Sequence, residues 1–284
     1  MTDNMNIQWY PGHMTKTRRQ IEADLKLVDA VCEIVDARIP VSSRNPDIDA
    51  ICGDKPRMIV LNRMDLADPA ATKKWAEYFR RKGMAVIATD CKSKKGISAF
   101  TPAARLACAE KLERDAKRGM NRPLRVMVVG IPNVGKSTLI NQISGRKSAK
   151  AENRPGVTRG KQWVTVDSGL QLLDTPGILW PKFEDPEVGM MLAYTGAVKE
   201  GVIDLEELAY RLMELLHKFY PQTLLERYKV EAPEGTHGWQ LLEMAGRKRG
   251  YLVSGGEVNA ERMAKVLLDE FRSGKLGNFT LEMP

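Results

Sequence analysis

Gly130-Ile131-Pro132-Asn133-Val134-Gly135-Lys136-Ser137 satisfies the pattern GxxxxGK[ST] at every fixed position. Glycine lets a backbone wrap an anion with successive N–H groups pointing inward. A lysine at position 136 adds charge at the outer phosphates, and a hydroxyl at position 137 suits Mg²⁺. The flanks agree. Leu124–Val129 is an apolar run expected as a buried strand, and residues 137–144 open a helix whose N-terminal end favours an anion. Such a strand–loop–helix holds a nucleoside triphosphate. Asn133, Val134, Gly135, Lys136, Ser137 and Thr138 are therefore expected to bind it, with Lys136 also taking part in catalysis.

The base preference is written upstream. A second apolar run, residues 58–61, ends in Asn62-Arg63-Met64-Asp65, which resembles the guanine-reading N-K-x-D motif of GTPases. A carboxylate at Asp65 accepts from guanine N1–H and its N2 amine together, a pattern adenine does not offer. Asn62 can bond guanine N7 and tie loops together. Alone, these four residues also read as a simple strand-end turn. A third run, residues 84–88, ends in Thr89-Asp90-Cys91-Lys92, followed by Gly96-Ile97. This resembles the T-S-A-K segment that closes over the base, with the Cys91 backbone N–H facing guanine O6. Arg63, Met64 and Asp90 complete the expected base site.

Downstream of the phosphate loop come Pro155-Gly156-Val157-Thr158, a candidate switch threonine, and Asp174-Thr175-Pro176-Gly177, a match to D-x-x-G. Ser137, Thr158 and Asp174 are the expected Mg²⁺ residues. Thr158 is also assigned to catalysis, and Gly177 joins the nucleotide-binding set. Relative to an ordinary GTPase the motifs run fourth, fifth, first, second, third. That order is a circular permutation, tolerable because domain termini lie on the surface and often close together. Strands alternating with helices imply an α/β fold: a circularly permuted P-loop GTPase domain with a mostly parallel sheet and helices on both faces. Helices are expected over residues 14–27, 69–82 and 99–118, and strands over 28–35, 161–166 and 170–173, the last two around a turn at Asp167-Ser168-Gly169.

After residue 186 strand signals fade and helical spacing takes over. Residues 206–219 place Leu208, Leu212, Leu215, Leu216 and Phe219 on one stripe. Residues 259–272 do the same with Met263, Val266, Leu267 and Phe271, with Asn259 as N-cap. The expected division is residues 1–185, the GTPase domain with a basic N-terminal arm, and 186–284, an all-helical domain carrying the basic Arg247-Lys248-Arg249.

Composition sets the remaining bounds. The 284 residues suit a nucleotide domain plus one accessory domain. No apolar run approaches membrane-spanning length, and the N-terminus has no signal-peptide core. Cysteines at 32, 52, 91 and 108 show no metal-ligand spacing and read as free thiols in a reducing cytoplasm. A net charge of +8 favours an anionic partner, though simple solubility would account for it equally.

Gln8-Trp9-Tyr10-Pro11-Gly12-His13-Met14 resembles the Q-W-F-P-G-H-M opening of the ribosome biogenesis GTPase A family. Asp36-Ala37-Arg38-Ile39-Pro40 with Arg44-Asn45-Pro46 resembles its D-A-R-x-P…R-N-P stretch, and residues 173–181 resemble its switch region. The resemblance spans the whole chain, including residues 251–256. It implies a Mg²⁺-dependent GTPase acting in late assembly of the large ribosomal subunit. The switch after Gly177 runs almost directly into the helical domain through residues 181–186, so a γ-phosphate that orders it is expected to gate binding to rRNA and pre-ribosome. The implied partners are the large-subunit precursor, its rRNA and ribosomal proteins, with no membrane and a monomeric chain. Arg63 departs from the usual lysine and Asp90 from the usual serine.

Ras-like enzymes orient water with a glutamine after D-x-x-G. Here that position is Ile178, which has no hydrogen-bonding group. Hydrolysis is thus expected to be slow alone and stimulated by the large subunit. The resemblance points to His13 as the water-positioning group; a structural or RNA-contacting role is the alternative. Related GTPases with asparagine at position 133 imply K⁺ there; a loop residue bonded to its own backbone is the alternative. Two other functions stay open: a GTPase acting on a non-ribosomal protein or RNA partner, and an RNA-modifying enzyme, for which no catalytic constellation is visible.

Overall fold

The computed structural model describes residues 19, 21–145, 162–175, 185–198 and 204–284. They fall into two compact units. One holds the sheet and takes in the last residues, Glu282–Pro284; the other holds the later helices, up to Leu281.

Six strands are described: β1 Ala30–Asp36, β2 Arg57–Asn62, β3 Ala85–Thr89, β4 Leu124–Val129, β5 Gln162–Asp167 and β6 Leu170–Asp174. They form one sheet in the order β3-β2-β1-β4-β6-β5. Every neighbouring pair is parallel except β5 with β6. β1 is buried along its whole length, as a strand covered on both faces must be, and its two acidic residues are paired, Glu33 with Arg44 and Arg57 and Asp36 with Arg38. The chain order reverses between β1 and β4. Beyond β1 the sheet continues to β2 and β3, and beyond β4 to β6 and β5. Such a reversal opens a crevice at the carboxyl ends of the strands, where α/β sheets bind ligands. The phosphate loop leaves β4 there, Asp36 ends β1, and Asn62 ends β2.

The helices of this unit include α1 Ile48–Cys52, α2 Pro69–Arg81, α3 Phe100–Ala107, α4 Ala109–Lys117 and α5 Lys136–Ser144. α2 starts where Asp68 accepts from the N–H groups of Ala70 and Ala71 and Pro69 supplies its preset φ. It buries Trp75, Ala76 and Phe79 against Val35, Ile59, Leu61 and Val86. The single helix expected over 99–118 is instead broken. A 3-10 turn, Ile97–Ala99, leads into α3, and Cys108 (φ −107°, ψ 18°) separates α3 from α4. Its N–H turns back to the Arg105 carbonyl, 3.2 Å away. α3 buries Phe100 and Ala104 whereas α4 buries no residue fully, so the two halves answer to different surroundings. Of the helix expected over 14–27, residues 21–24 are helical and run into a 3-10 turn, Leu25–Leu27. β5 and β6 form the expected hairpin, with Asp167 Oδ1 accepting from the Gly169 N–H at 2.7 Å.

The chain's end closes onto the same unit. The Glu282 carboxylate accepts from the backbone N–H of Val41 (2.6 Å) and Ser42 (3.0 Å) and from the Ser42 hydroxyl. Trp75 Nε1 donates to the Glu282 carbonyl at 2.8 Å.

The second unit contains α6 Pro186–Tyr194, α7 Leu205–Phe219, α8 Pro221–Tyr228, α9 Gly238–Lys248 and α10 Ala260–Ser273. Spacing revealed α7 and α10 but not the others, which are shorter and open on proline or glycine. Asn259 caps α10, accepting from the Arg262 N–H at 2.9 Å. On α7 the buried stripe is Leu208, Ala209, Leu212, Met213 and Leu216, while Phe219 is 44% exposed rather than core. Among the described residues no helix is long and apolar enough to cross a membrane, and the four cysteines are buried free thiols.

Candidate nucleotide-binding site

Three chain segments meet at one side chain. Asn62, buried at the end of β2, donates from Nδ2 to the Val134 carbonyl of the phosphate loop at 2.8 Å. Its Oδ1 accepts from the Thr89 hydroxyl and the Cys91 thiol, each at 3.1 Å. One amide thus joins the phosphate loop to both expected base-reading segments. A buried amide with all these partners is worth more than its separate bonds, because each group would be costly to leave unpaired.

The phosphate loop is shaped around that amide. Gly135 has φ 101° and a Cβ there would overlap the Asn62 amide nitrogen. Gly130 leaves β4 where a Cβ would lie 2.7 Å from the Ile34 carbonyl oxygen. Both positions need glycine for space as well as dihedral freedom. Asn133 takes a left-handed conformation, φ 60°. The Arg63 guanidinium donates to the Asn133 carbonyl at 2.6 Å, so the arginine replacing the usual lysine reaches across to the phosphate loop.

Asp65 stands exposed in the turn after Arg63. Partial burial, and then the nearby charge of Asp90, push its carboxyl up from the usual range. Asp90 is used differently. Its Oδ1 accepts from the Lys92 N–H at 2.8 Å, and its own N–H donates to the Lys95 carbonyl at 3.0 Å. Burial opposes its ionisation, but hydrogen bonds from Ser93 and Lys92 prevail and hold its carboxyl low. An Asx-type turn is the physical account of aspartate at this position. Met64 hydrogen-bonds from its N–H to the Thr89 carbonyl at 3.1 Å, and burial pushes the Cys91 thiol up to about 11.

Lys136 is buried at the start of α5, with Nζ donating to the Gly130 and Ile131 carbonyls at 3.1 Å each. Ser137 and Thr138 are half-buried in the first turn of the same helix. Asp174 ends β6 beside Val128 of β4, and the next residue, Thr175, donates its hydroxyl to the Val128 carbonyl at 2.7 Å. His13, Thr158 and Gly177, with Ile178 and the 155–158 stretch, lie outside the described residues.

A family model described as "50S ribosome-binding GTPase" matches residues 125–224, from the phosphate-loop strand onward. A "Ribosome biogenesis GTPase A" from Priestia megaterium is 46% identical over 99% of this chain and 98% of its own length. The chain belongs to the ribosome biogenesis GTPase A family. GDP-bound YlqF superimposes with a TM-score of 0.68 at 29% identity, covering 94% of this chain and 99% of that one. GNP-bound YlqF from T. maritima gives 0.63 at 29% identity, covering 95% and 98%. The protein is therefore a ribosome-related GTPase of circularly permuted fold.

A GTPase of this family works on a Mg²⁺-bound nucleotide, and the residues present fit the ion. Asp174 Oδ1 is buried and has no hydrogen-bond donor among the described residues. It and the Ser137 hydroxyl are hard oxygen donors. Mg²⁺ takes one or two carboxylates and completes its shell with phosphate and water, a demand that these two donors can begin to meet. The ion would neutralise charge between the outer phosphates.

Burial disfavours charge on both Lys136 and Asp174, and their mutual attraction only partly offsets it. The lysine falls to about 8 and the carboxyl rises to about 6. The signs give a testable window. Phosphates favour the ammonium, so above about pH 8 the free protein must take up a proton on binding, and apparent GTP affinity falls by up to tenfold per pH unit. Below about pH 6 the Asp174 carboxyl is protonated and the Mg²⁺ dependence of GTP binding weakens. Titrations of GTP affinity across this range, with and without Mg²⁺, check both limbs; a flat profile from pH 5 to 9 would refute them.

Sequence reasoning gave no role to Asp36 and Arg38, to the Cys91 thiol, or to Glu282. Asp36-Ala37-Arg38 was visible as a motif, but only the fold shows the arginine completely buried on the aspartate.

Proposed function

We propose that this protein is a GTP-hydrolysing assembly factor for a late step of large (50S) ribosomal subunit maturation, binding rRNA and pre-ribosome only in its GTP form. The observation that carries this is the Asn62 amide: it locks the guanine-reading segments onto the phosphate loop, in a chain whose family is named for ribosome biogenesis. In this proposal Asp65, with Asn62, Arg63, Met64, Asp90 and Cys91, selects guanine. Asn133, Val134, Gly135, Lys136, Ser137, Thr138 and Gly177 bind the phosphates, and Ser137, Thr158 and Asp174 serve Mg²⁺. Asn133 holds K⁺, Thr158 and Lys136 act at the γ-phosphate, and His13 positions the attacking water. Helical residues 186–284, through the basic Arg247-Lys248-Arg249 patch, contact rRNA and ribosomal proteins, and the protein works as a cytoplasmic monomer.

Sucrose-gradient co-migration with large subunits tests the proposal. Binding is expected with a non-hydrolysable GTP analogue and not with GDP; no co-migration in either state would overturn it. Turnover on the same subunits should be stimulated over the free protein. His13→Ala should keep nucleotide affinity and subunit binding but lose about 10²-fold of the stimulated turnover, as one positioned polar group contributes. Running that assay in KCl and in NaCl tests the potassium site, since equal rates would leave Asn133 without the ion.

A further inference from the structure

Asp36 is the last residue of β1 and pairs in register with Asn62 of β2. Its carboxylate accepts from the Arg38 backbone N–H (3.0 Å), Nε (3.0 Å) and Nη2 (2.8 Å). Arg38 is completely buried. The second guanidinium at this carboxylate is Arg63, whose Nε lies 3.8 Å from Asp36 Oδ2 while its Nη2 bonds the Asn133 carbonyl. Arg63 and Asn133 both stand in the left-handed region, φ 59° and 60°, conformations that persist only when their surroundings over-determine them. Asp36 is itself held from behind. Its N–H donates to the Ser43 hydroxyl at 2.9 Å, which donates to the Ile39 carbonyl at 2.7 Å, and the adjoining Val41 and Ser42 are clamped by Glu282.

We propose that Asp36 is a positioning residue of the nucleotide site: seated on Arg38, it aims the Arg63 guanidinium at the Asn133 carbonyl and so holds the phosphate loop in its anion-binding shape. The inference rests on the guanine-nucleotide reading above. Its physical basis is charge. Without the carboxylate, two guanidiniums face each other with no anion between them, and the Arg63 fork loses the partner that orients it. Its bond to Asn133 is what pins the turn that directs the following N–H groups.

Dissociation of a fluorescent GDP from the full chain, at constant Mg²⁺, tests it. Asp36→Asn should speed dissociation about tenfold, the lower end of what orienting partners contribute at metal sites. The preference for GDP over ADP, which belongs to Asp65, should persist. Arg63→Met should give a similar increase, and the two changes together no more than either alone, since both break one chain of contacts. Asp36→Asn leaves the buried Arg38 charge uncompensated and can unfold the protein; Asp36→Asn with Arg38→Met removes both charges and should show the same tenfold effect. Unchanged dissociation in the folded Asp36 variants, or an additive effect with Arg63→Met, would overturn the proposal while wild-type GDP preference stood. A wild-type chain that fails to prefer GDP over ADP would instead sink the guanine reading, and this inference with it.

Discussion

Asp65→Asn is expected to weaken GTP and GDP binding by about 2–4 kcal/mol, the loss of a charge-assisted pair of hydrogen bonds. That is roughly 30- to 1,000-fold in affinity. Asp65 is exposed in the turn that follows Arg63, and partial burial and then Asp90 push its carboxyl up from the usual range. Two guanine N–H donors oppose that shift; an asparagine amide offers one acceptor and sets its own NH₂ against the N2 amine. The turn itself should survive, because the Leu66 N–H to the Arg63 carbonyl bond at 2.9 Å holds it. Calorimetric titration with GDP and ADP decides the point. GDP affinity equal to wild type would remove Asp65 from base selection.

Lys136→Ala is expected to lower GTP turnover on large subunits by about 10³-fold, the scale on which a positive charge at the γ-phosphate acts in phosphoryl transfer. The ammonium is already out of water and held by two loop carbonyls, so its desolvation is complete before any phosphate arrives. Its loss would also strip Asp174 of a charge that favours its ionised form and so weaken the Mg²⁺ position. Lys136→Met, which fills the same space without the charge, should fall equally, separating the electrostatic effect from a packing defect. Single-turnover hydrolysis at wild-type rate in either variant would mean that the phosphate loop is not the active centre.

Much of the nucleotide site is legible in the sequence, for a local reason. A phosphate loop is a short backbone conformation, and its glycines, lysine and hydroxyl are adjacent in the chain. The central strands are mostly apolar, as burial on both faces favours. The motif order alone implies the permutation, and the sheet order β3-β2-β1-β4-β6-β5 places β1 beside β4, where the chain order reverses. The break at Cys108 is not legible, since residues 99–118 carry no proline or glycine at that point and the bend answers to what each half packs against. Nor are α6, α8 and α9, too short for spacing to stand out.

What residues mean locally is thus set by the chain itself: strand, loop, helix, their order, and the chemistry offered at each motif. What joins the motifs is decided only in three dimensions. Asn62 reaches Val134 across 72 positions, Arg63 reaches Asn133 across 70, and Glu282 reaches Val41 across 241. The motif marks Asn62 as a loop tie but not its partner, and no pattern in the sequence marks the other two pairs, because a hydrogen bond depends on distance and direction, and these follow from how the chain folds.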